Sequence, residues 1–182
     1  MTTAADTPHA AARRRWLVAG VAAAATGTGA TLAWLQRRGG AEPEASAPLW
    51  DMEFDTLGSQ KLAIRQFAGR PLLLNFWATW CPPCIEEFPL LDSFYRQNVA
   101  NGWQVIGLAV DQAAAVEKFL RQNPVRFSIA LAGMQGIELS RSLGNLAGGL
   151  PFTVAFDAKS RPVQRKMGRL SDQDLQAWAT MR

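Results

Sequence analysis

The most constraining feature of the sequence is an uninterrupted apolar run that leads almost directly into a pair of cysteines. Residues 71–78 read PLLLNFWA, which has the length and composition of a central strand buried on both faces. Residues 81–84 read CPPC, and apolar residues then recur at helical spacing up to about Gln97. The pattern predicts a strand, a short turn and a helix whose first turn holds both cysteines.

The remaining segments of the chain alternate between strand-like and helix-like patterns. Strands or extended pieces are predicted at 49–54, 62–67, 103–110, 127–131, 152–156 and 163–167, and helices at 113–122 and 135–143. A last helix should begin after Ser171, a good N-cap residue with Asp174 three positions on. Alternation of this kind predicts an α/β layer architecture.

The N-terminal segment has a different composition from the rest of the chain. Residues 16–35 contain no charge and as a helix would span roughly 30 Å, the thickness of a bilayer core. We therefore predict a cytoplasmic basic tail at 1–15, a transmembrane anchor or export signal at 16–35, a linker at 36–48 and a domain at 49–182. A cleaved signal is an alternative, because Arg13 to Leu17 resembles a twin-arginine pattern. A buried soluble helix fits less well, because 16–35 has no polar face.

The positive charge of the chain comes from this N-terminal segment. Residues 1–40 contribute +4, whereas the remainder holds 14 basic and 14 acidic residues. A nucleic-acid-binding domain needs a basic surface on its folded part. We therefore expect no nucleic acid partner, and we expect a lipid bilayer to contact residues 16–35.

The small number of cysteines and histidines excludes several kinds of site. The chain has two cysteines, both in the CPPC motif, and one histidine, His9. One chain therefore cannot form a Cys₄ zinc site, a disulfide framework or a Ser-His-Asp triad in its domain. Attachment of c-type haem requires histidine after the second cysteine, where this chain has Ile85. We expect no metal and no cofactor beyond a redox-active disulfide, although Cu(I) binding by the two thiolates stays open.

The predicted position of the cysteines at a helix N-terminus indicates redox chemistry. Unpaired backbone N–H groups and the helix dipole stabilise a thiolate there. Pro82 and Pro83 are tolerated in the first turn, where their missing N–H groups cost nothing. We expect Cys81 to attack a partner's disulfide and Cys84 to resolve the mixed disulfide.

Two segments of the sequence resemble one known family. The segment FWATWCPPCIEEFP and the residues Gly149 to Thr153 are similar to those of the TlpA/ResA-like branch of the thioredoxin superfamily. The resemblance extends from about residue 49 to the C-terminus. It implies a thioredoxin-like fold, with a mixed central sheet flanked by helices, and membership of a group of exported or membrane-anchored thiol–disulfide oxidoreductases.

The resemblance also implies roles for residues outside the motif. Glu87 matches an acidic residue that the family places near the cysteines, so it joins Cys81 and Cys84 as a candidate catalytic residue. Pro151 would be a cis-proline that faces the cysteines, and Leu150 would offer its backbone to a bound substrate. Other candidate substrate-binding residues are Trp80, Pro82 and Pro83.

Three further residues have open interpretations. Asn75 stands where thioredoxins carry a buried aspartate, so acid–base chemistry would pass to Glu87 or water. Asp111 follows a predicted strand at the sheet edge where α/β sites gather, but it is equally suited to cap the next helix. Pro89 lies inside a helical pattern and is expected to kink the helix.

The expected function is reduction of disulfides in exported proteins, as in cytochrome c maturation or copper-protein assembly. A membrane thiol electron donor would then be required to reduce the enzyme again. The expected location is the bacterial inner membrane, with one transmembrane pass and the domain in the periplasm. Alternatives are a DsbA-like oxidase, a peroxiredoxin-like peroxidase and a Cu(I) metallochaperone.

Overall fold

A computed structural model describes residues 47–180 of the chain. Seven strands are present: β1 (Glu53–Asp55), β2 (Lys61–Ala63), β3 (Leu72–Trp77), β4 (Gln104–Ala109), β5 (Ser128–Leu131), β6 (Phe152–Phe156) and β7 (Pro162–Met167). Five α-helices accompany them: α1 (Ala47–Trp50), α2 (Pro82–Asn98), α3 (Ala113–Gln122), α4 (Gln135–Ser142) and α5 (Asp172–Ala179). Two short 3₁₀ helices cover Ile64–Phe67 and Val99–Asn101.

The seven strands form one mixed sheet with the order β2-β1-β5-β4-β3-β6-β7. Strands β3, β4 and β5 are parallel to one another, and the other neighbouring pairs are antiparallel. The register of β3 pairs Asn75 with Gly107 of β4 on one side and with Thr153 of β6 on the other. The α/β architecture predicted from the alternating pattern is confirmed.

The side chains of β3 alternate between two apolar cores, one on each face of the sheet. Leu73 and Trp77 lie in the core that includes both cysteines and residues of α2, α3 and α5. Leu74 and Phe76 lie in the opposite core, with residues of α1 and α4. All six residues of β3 are buried, as expected for a central strand covered by helices on both faces.

The structure differs from the sequence-based expectation at the start of the domain. Residues 49–54, predicted as one strand, and Pro48, predicted as linker, form the short helix α1 followed by β1. The turn is closed by hydrogen bonds from Asp51 N to Pro48 O and from Met52 N to Leu49 O. Proline is favoured in a first helical turn, which explains this difference.

The extended piece predicted at 62–67 is also shorter than expected. Strand β2 ends at Ala63, and a 3₁₀ helix then buries Ile64 and Phe67. Residues three apart lie on the same side of a 3₁₀ helix, so the two apolar side chains enter one core together.

The predicted tail, membrane segment and most of the linker lie outside the described residues. None of the helices within residues 47–180 is long and apolar enough to cross a membrane.

Candidate active site

The two cysteines lie where the central strand meets a helix N-terminus. Strand β3 ends at Trp77, three residues form a turn, and Cys81 is the N-cap of α2 with Pro82 and Pro83 at its first positions. Cys81 and Cys84 form a disulfide, with their Cα atoms 5.3 Å apart. Cys81 is 5 % exposed and Cys84 is fully buried, so Cys81 is the sulfur nearer to solvent.

The turn before Cys81 is fixed by Asp111, which lies two residues after the end of β4. The Asp111 carboxylate accepts hydrogen bonds from Thr79 N at 2.8 Å, from Thr79 Oγ1 at 2.6 Å and from Gln112 N at 2.7 Å. The N-cap of α3 is Gln112, and its side chain makes no cap hydrogen bond. The interpretation of Asp111 as the side-chain cap of that helix is therefore wrong, and its observed role is to hold the active-site turn.

Three of the residues proposed to contact partners, Trp80, Pro82 and Pro83, are exposed around the disulfide, whereas Pro151 is buried and Leu150 is half-buried. Trp80 is 63 % exposed, and Pro82 and Pro83 are also exposed. Trp77, by contrast, is fully buried and packs on Phe88, with ring centroids 4.3 Å apart. The exposure of Trp80 is compatible with partner contact, whereas Trp77 is a core residue.

The peptide bond between Leu150 and Pro151 is cis, as the resemblance implies. Leu150 packs against the core that contains both cysteines. No backbone hydrogen bond within the described part of the chain involves its N–H or C=O group. The carbonyl of Pro151, in contrast, accepts a hydrogen bond from Gly168 N at 2.8 Å. Within residues 47–180, the backbone groups of Leu150 therefore have no backbone partner.

The loop that leads to Leu150 is held by Asn145, a residue that the sequence did not single out. Asn145 is buried, and its Nδ2 donates to Gly149 O at 2.8 Å and to Ser140 Oγ at 3.1 Å. Gly148 N donates to Asn145 O at 2.9 Å. Burial of an asparagine in a glycine-rich loop cannot be read from one sequence, because asparagine is also common in exposed turns.

Glu87 lies in the core rather than on the surface of α2. It is 1 % exposed and follows Cys84 by three residues, on the same buried face of the helix. Its Oε1 accepts a hydrogen bond from Asn75 Nδ2 at 2.7 Å, and its Oε2 accepts one from Leu170 N at 2.9 Å. Burial raises the pKa of Glu87 from 4.5 to about 7, although both hydrogen bonds and the charge of Arg169 oppose that rise.

The segment before α5 joins two parts of the site. Within residues 168–170, Gly168 N bonds the carbonyl of Pro151 and Leu170 N bonds the Glu87 carboxylate. Arg169 forms an exposed ion pair with Glu86 on α2. No sequence pattern marks this segment, because its hydrogen bonds to Glu87 and Pro151 come from backbone atoms, which carry no sequence signal.

The structure therefore brings the predicted catalytic residues into one region, around the N-terminal turns of α2. Helix α2 continues through Pro89 and ends at Asn98. Within residues 47–180, no group of three or more His, Cys, Asp or Glu side chains is placed to hold a metal ion.

Comparison with known proteins gives consistent matches over this domain. Residues 42–178 match the Redoxin family. The thiol-disulfide oxidoreductase ResA of Bacillus thuringiensis subsp. konkukian is 28 % identical over 123 residues, which cover 67 % of this chain and 69 % of that protein. The sporulation thiol-disulfide oxidoreductase A of Bacillus subtilis is 25 % identical over 81 % of this chain and 88 % of its own length.

A similar solved structure is that of a thioredoxin-related protein from Neisseria meningitidis serogroup B. Its TM-score is 0.63 at 26 % identity, and the match covers 70 % of this chain and 96 % of that one. The architecture of residues 47–180 is accordingly thioredoxin-like.

Proposed function

Because the chain belongs to the Redoxin family, and within it to the TlpA/ResA-like thiol–disulfide oxidoreductases, we propose that it reduces disulfides in exported proteins. The observation that supports this most directly is the Cys81–Cys84 disulfide at the N-terminus of α2, with a buried carboxyl group three residues after Cys84. The resemblance noted in the sequence is thereby confirmed, and the chain is an enzyme of thiol–disulfide exchange.

The proposed reaction starts from the reduced dithiol. The Cys81 thiolate attacks one sulfur of the partner's disulfide, and that S–S bond breaks. One partner sulfur leaves and takes up a proton, while the other is joined to Cys81 in a mixed disulfide. Cys84 then loses its proton and attacks the Cys81 sulfur, which releases the second partner thiol and forms the Cys81–Cys84 disulfide. Two electrons have passed to the partner, and a dithiol donor at the membrane returns them.

In this scheme Glu87 accepts the proton of Cys84 during resolution and returns it when the disulfide is reduced. A group whose pKa is about 7 is half ionised near neutral pH, so it serves in both directions. Leu150 and Pro151 hold the partner as an extended strand, with contacts from Trp80, Pro82 and Pro83. The dithiol works without a bound cofactor.

The proposed direction and location rest on the N-terminal sequence. The apolar residues 16–35 indicate transfer of the domain to the periplasm, as an anchored or a cleaved protein. In an oxidising compartment a reductase needs a dedicated electron donor, whereas an oxidase is maintained oxidised. Cytochrome c maturation and copper-protein assembly are the two substrate classes that the family resemblance favours.

The experiment that tests the proposal is trapping in cells with a matched pair of variants. Cys84→Ser leaves the Cys81 nucleophile and removes the resolving thiol, so mixed disulfides with partners should accumulate and disappear on treatment with dithiothreitol. Cys81→Ser has the same number of thiols but lacks the nucleophile, and should capture far less. Equal capture by the two variants, or none by either, contradicts the proposal.

Two in vitro measurements separate the alternatives. A reduction potential as oxidising as that of DsbA, about −120 mV, would contradict the reductase direction. Turnover of peroxide without reduction of protein disulfides would favour the peroxidase. Tight Cu(I) binding without disulfide exchange would favour the metallochaperone.

A further inference from the structure

Asn75 is a polar residue in the most buried part of the sheet. It lies in the middle of β3, is 0 % exposed, and has apolar core residues, Leu73 and Trp77, as its neighbours on the same face of the strand. A buried amide costs free energy unless its donors and acceptors are paired. What Asn75 binds in the core is therefore informative about its role.

The amide of Asn75 donates two hydrogen bonds, each to a different side chain. One bond goes to Glu87 Oε1 at 2.7 Å and the other to Thr153 Oγ1, across the β3–β6 pair, at 3.0 Å. The second carboxylate oxygen of Glu87 accepts from Leu170 N. Both oxygens of the carboxyl group thus face N–H donors, which favour its ionised form.

The charged groups around this carboxyl group are mostly neutralised by partners of their own. Arg169, in the segment before α5, is paired with Glu86 of α2. Lys166 of β7 pairs with Thr153 of β6 across the sheet, and its ammonium group forms an ion pair with Asp174 of α5. The other ionisable residues on these elements are Asp92, Tyr95 and Arg96 of α2, Arg165 of β7 and Asp172 of α5. Of these, Asp92 and Arg96 pair with each other, and Arg165 donates to Leu143 O. Reduction of the disulfide adds the thiols of Cys81 and Cys84. Asn75 is accordingly the only side chain among residues 47–180 that hydrogen-bonds the Glu87 carboxyl group.

We propose that Asn75 is a positioning residue for proton transfer by Glu87. Its amide holds the carboxyl group in one orientation and stabilises the ionised form, which keeps the exchange of this proton close to neutral pH. This inference rests on the proposed function for the fate of the proton, but the hydrogen bond itself does not depend on the substrate.

An amide suits this position because it can serve both states of the carboxyl group. The protonated form of Glu87 needs an acceptor for its O–H. Rotation of the Asn75 amide by half a turn replaces Nδ2 with Oδ1, an atom that has no hydrogen-bond partner among the described residues. Leucine would offer neither a donor nor an acceptor, and aspartate would place a second carboxyl group against the first.

The test is a titration of the Glu87 carboxyl group in the full-length, oxidised chain, where no thiol titrates. NMR of protein labelled with carboxyl-¹³C glutamate gives the midpoint pH of the Glu87 titration directly. The Glu87→Gln variant identifies the Glu87 signal, because that signal disappears. Asn75→Leu should raise it by about 1 to 2 pH units, because a hydrogen bond to a charged group is lost. Leu73→Val, a matched change on the same face of the same strand, should leave the midpoint unchanged. The pH profile for resolution of the Cys81 mixed disulfide should move with the carboxyl midpoint.

A second variant maintains the test if Asn75→Leu does not fold. Asn75→Asp preserves the shape of the side chain but creates two adjacent carboxyl groups, which should titrate in two steps with one above the wild-type midpoint. Equal midpoints in wild type and Asn75→Leu, or a single unshifted step in Asn75→Asp, would overturn the positioning role even if the wild type reduces disulfides normally. A shifted midpoint in a protein that exchanges no disulfide would preserve the positioning role and refute the proposed function instead.

Discussion

The buried carboxyl group predicts an unusual pH dependence of stability. The pKa of Glu87 is 4.5 when exposed in the unfolded chain and about 7 in the fold, because the charged form is poorly solvated in the core. A raised carboxyl pKa stabilises the fold fully below the unfolded value, and this stabilisation is lost as the pH rises through the folded value. The difference corresponds to about 3 kcal/mol, lost mainly between about pH 4.5 and pH 7.

The substitution Glu87→Gln isolates this effect, because glutamine does not ionise. The free energy of unfolding of the oxidised protein should be measured with urea from pH 5 to pH 8 for both proteins. Relative to Glu87→Gln, the wild type should lose about 2 to 3 kcal/mol across this range. Glutamine also replaces one acceptor oxygen by a donor that faces Asn75 or Leu170, so the two proteins will differ in stability at every pH. Only the slopes of the free energy of unfolding against pH are therefore diagnostic.

The carboxyl group of Asp174 acts outside this range. Hydrogen bonds from Lys166 and Ser171 lower the pKa of Asp174 to about 2, so its contribution is present above the ordinary value and is lost only as the pH falls through about 2. Parallel stability curves for wild type and Glu87→Gln between pH 5 and pH 8 would refute the assignment of a raised pKa to Glu87.

Three further predictions concern the residues that hold the site. Asp111→Ala removes the acceptor for Thr79, so we expect the free energy of unfolding measured with urea to fall by about 1–3 kcal/mol and disulfide exchange to become slower. Normal exchange rates would contradict the role of Asp111 in holding the turn. Asn145→Ala frees the carbonyl of Gly149 next to Leu150, whose backbone is proposed to bind the peptide, so KM for a protein disulfide should rise several-fold, with kcat changing less in steady-state assays. Ser171→Ala breaks the capping box of α5 and should cost about 1 kcal/mol of stability without altering exchange, which makes it the control for stability effects alone.

The parts of the fold that the sequence predicted are those with a local cause. The buried run of β3, the cysteines at the start of α2 and the Ser171 cap each depend on residues within one turn or one strand, so pattern and position suffice. The predicted strand at 49–54 was wrong in its first residues. The segment LWDMEF has the apolar content of a strand, but Pro48 favours a helical turn there.

The parts of the site that the sequence did not predict depend on contacts between distant segments. Asn75 and Glu87 are 12 residues apart, and Leu170 reaches Glu87 from 83 residues away. Family resemblance indicated that Glu87 and Pro151 matter, but neither resemblance nor periodicity identifies which backbone N–H group meets the carboxylate. The role of Asn145 was missed for the same reason, because its burial follows from how the loop folds back on Ser140.

The segment 168–170 has a consequence for inhibition of this enzyme. It bonds both the carbonyl of Pro151 and the carboxylate of Glu87, yet its own Arg169 side chain reaches the surface and pairs with Glu86. A compound that displaces this exposed ion pair would therefore act next to the groups proposed for peptide binding and for proton transfer while touching neither sulfur.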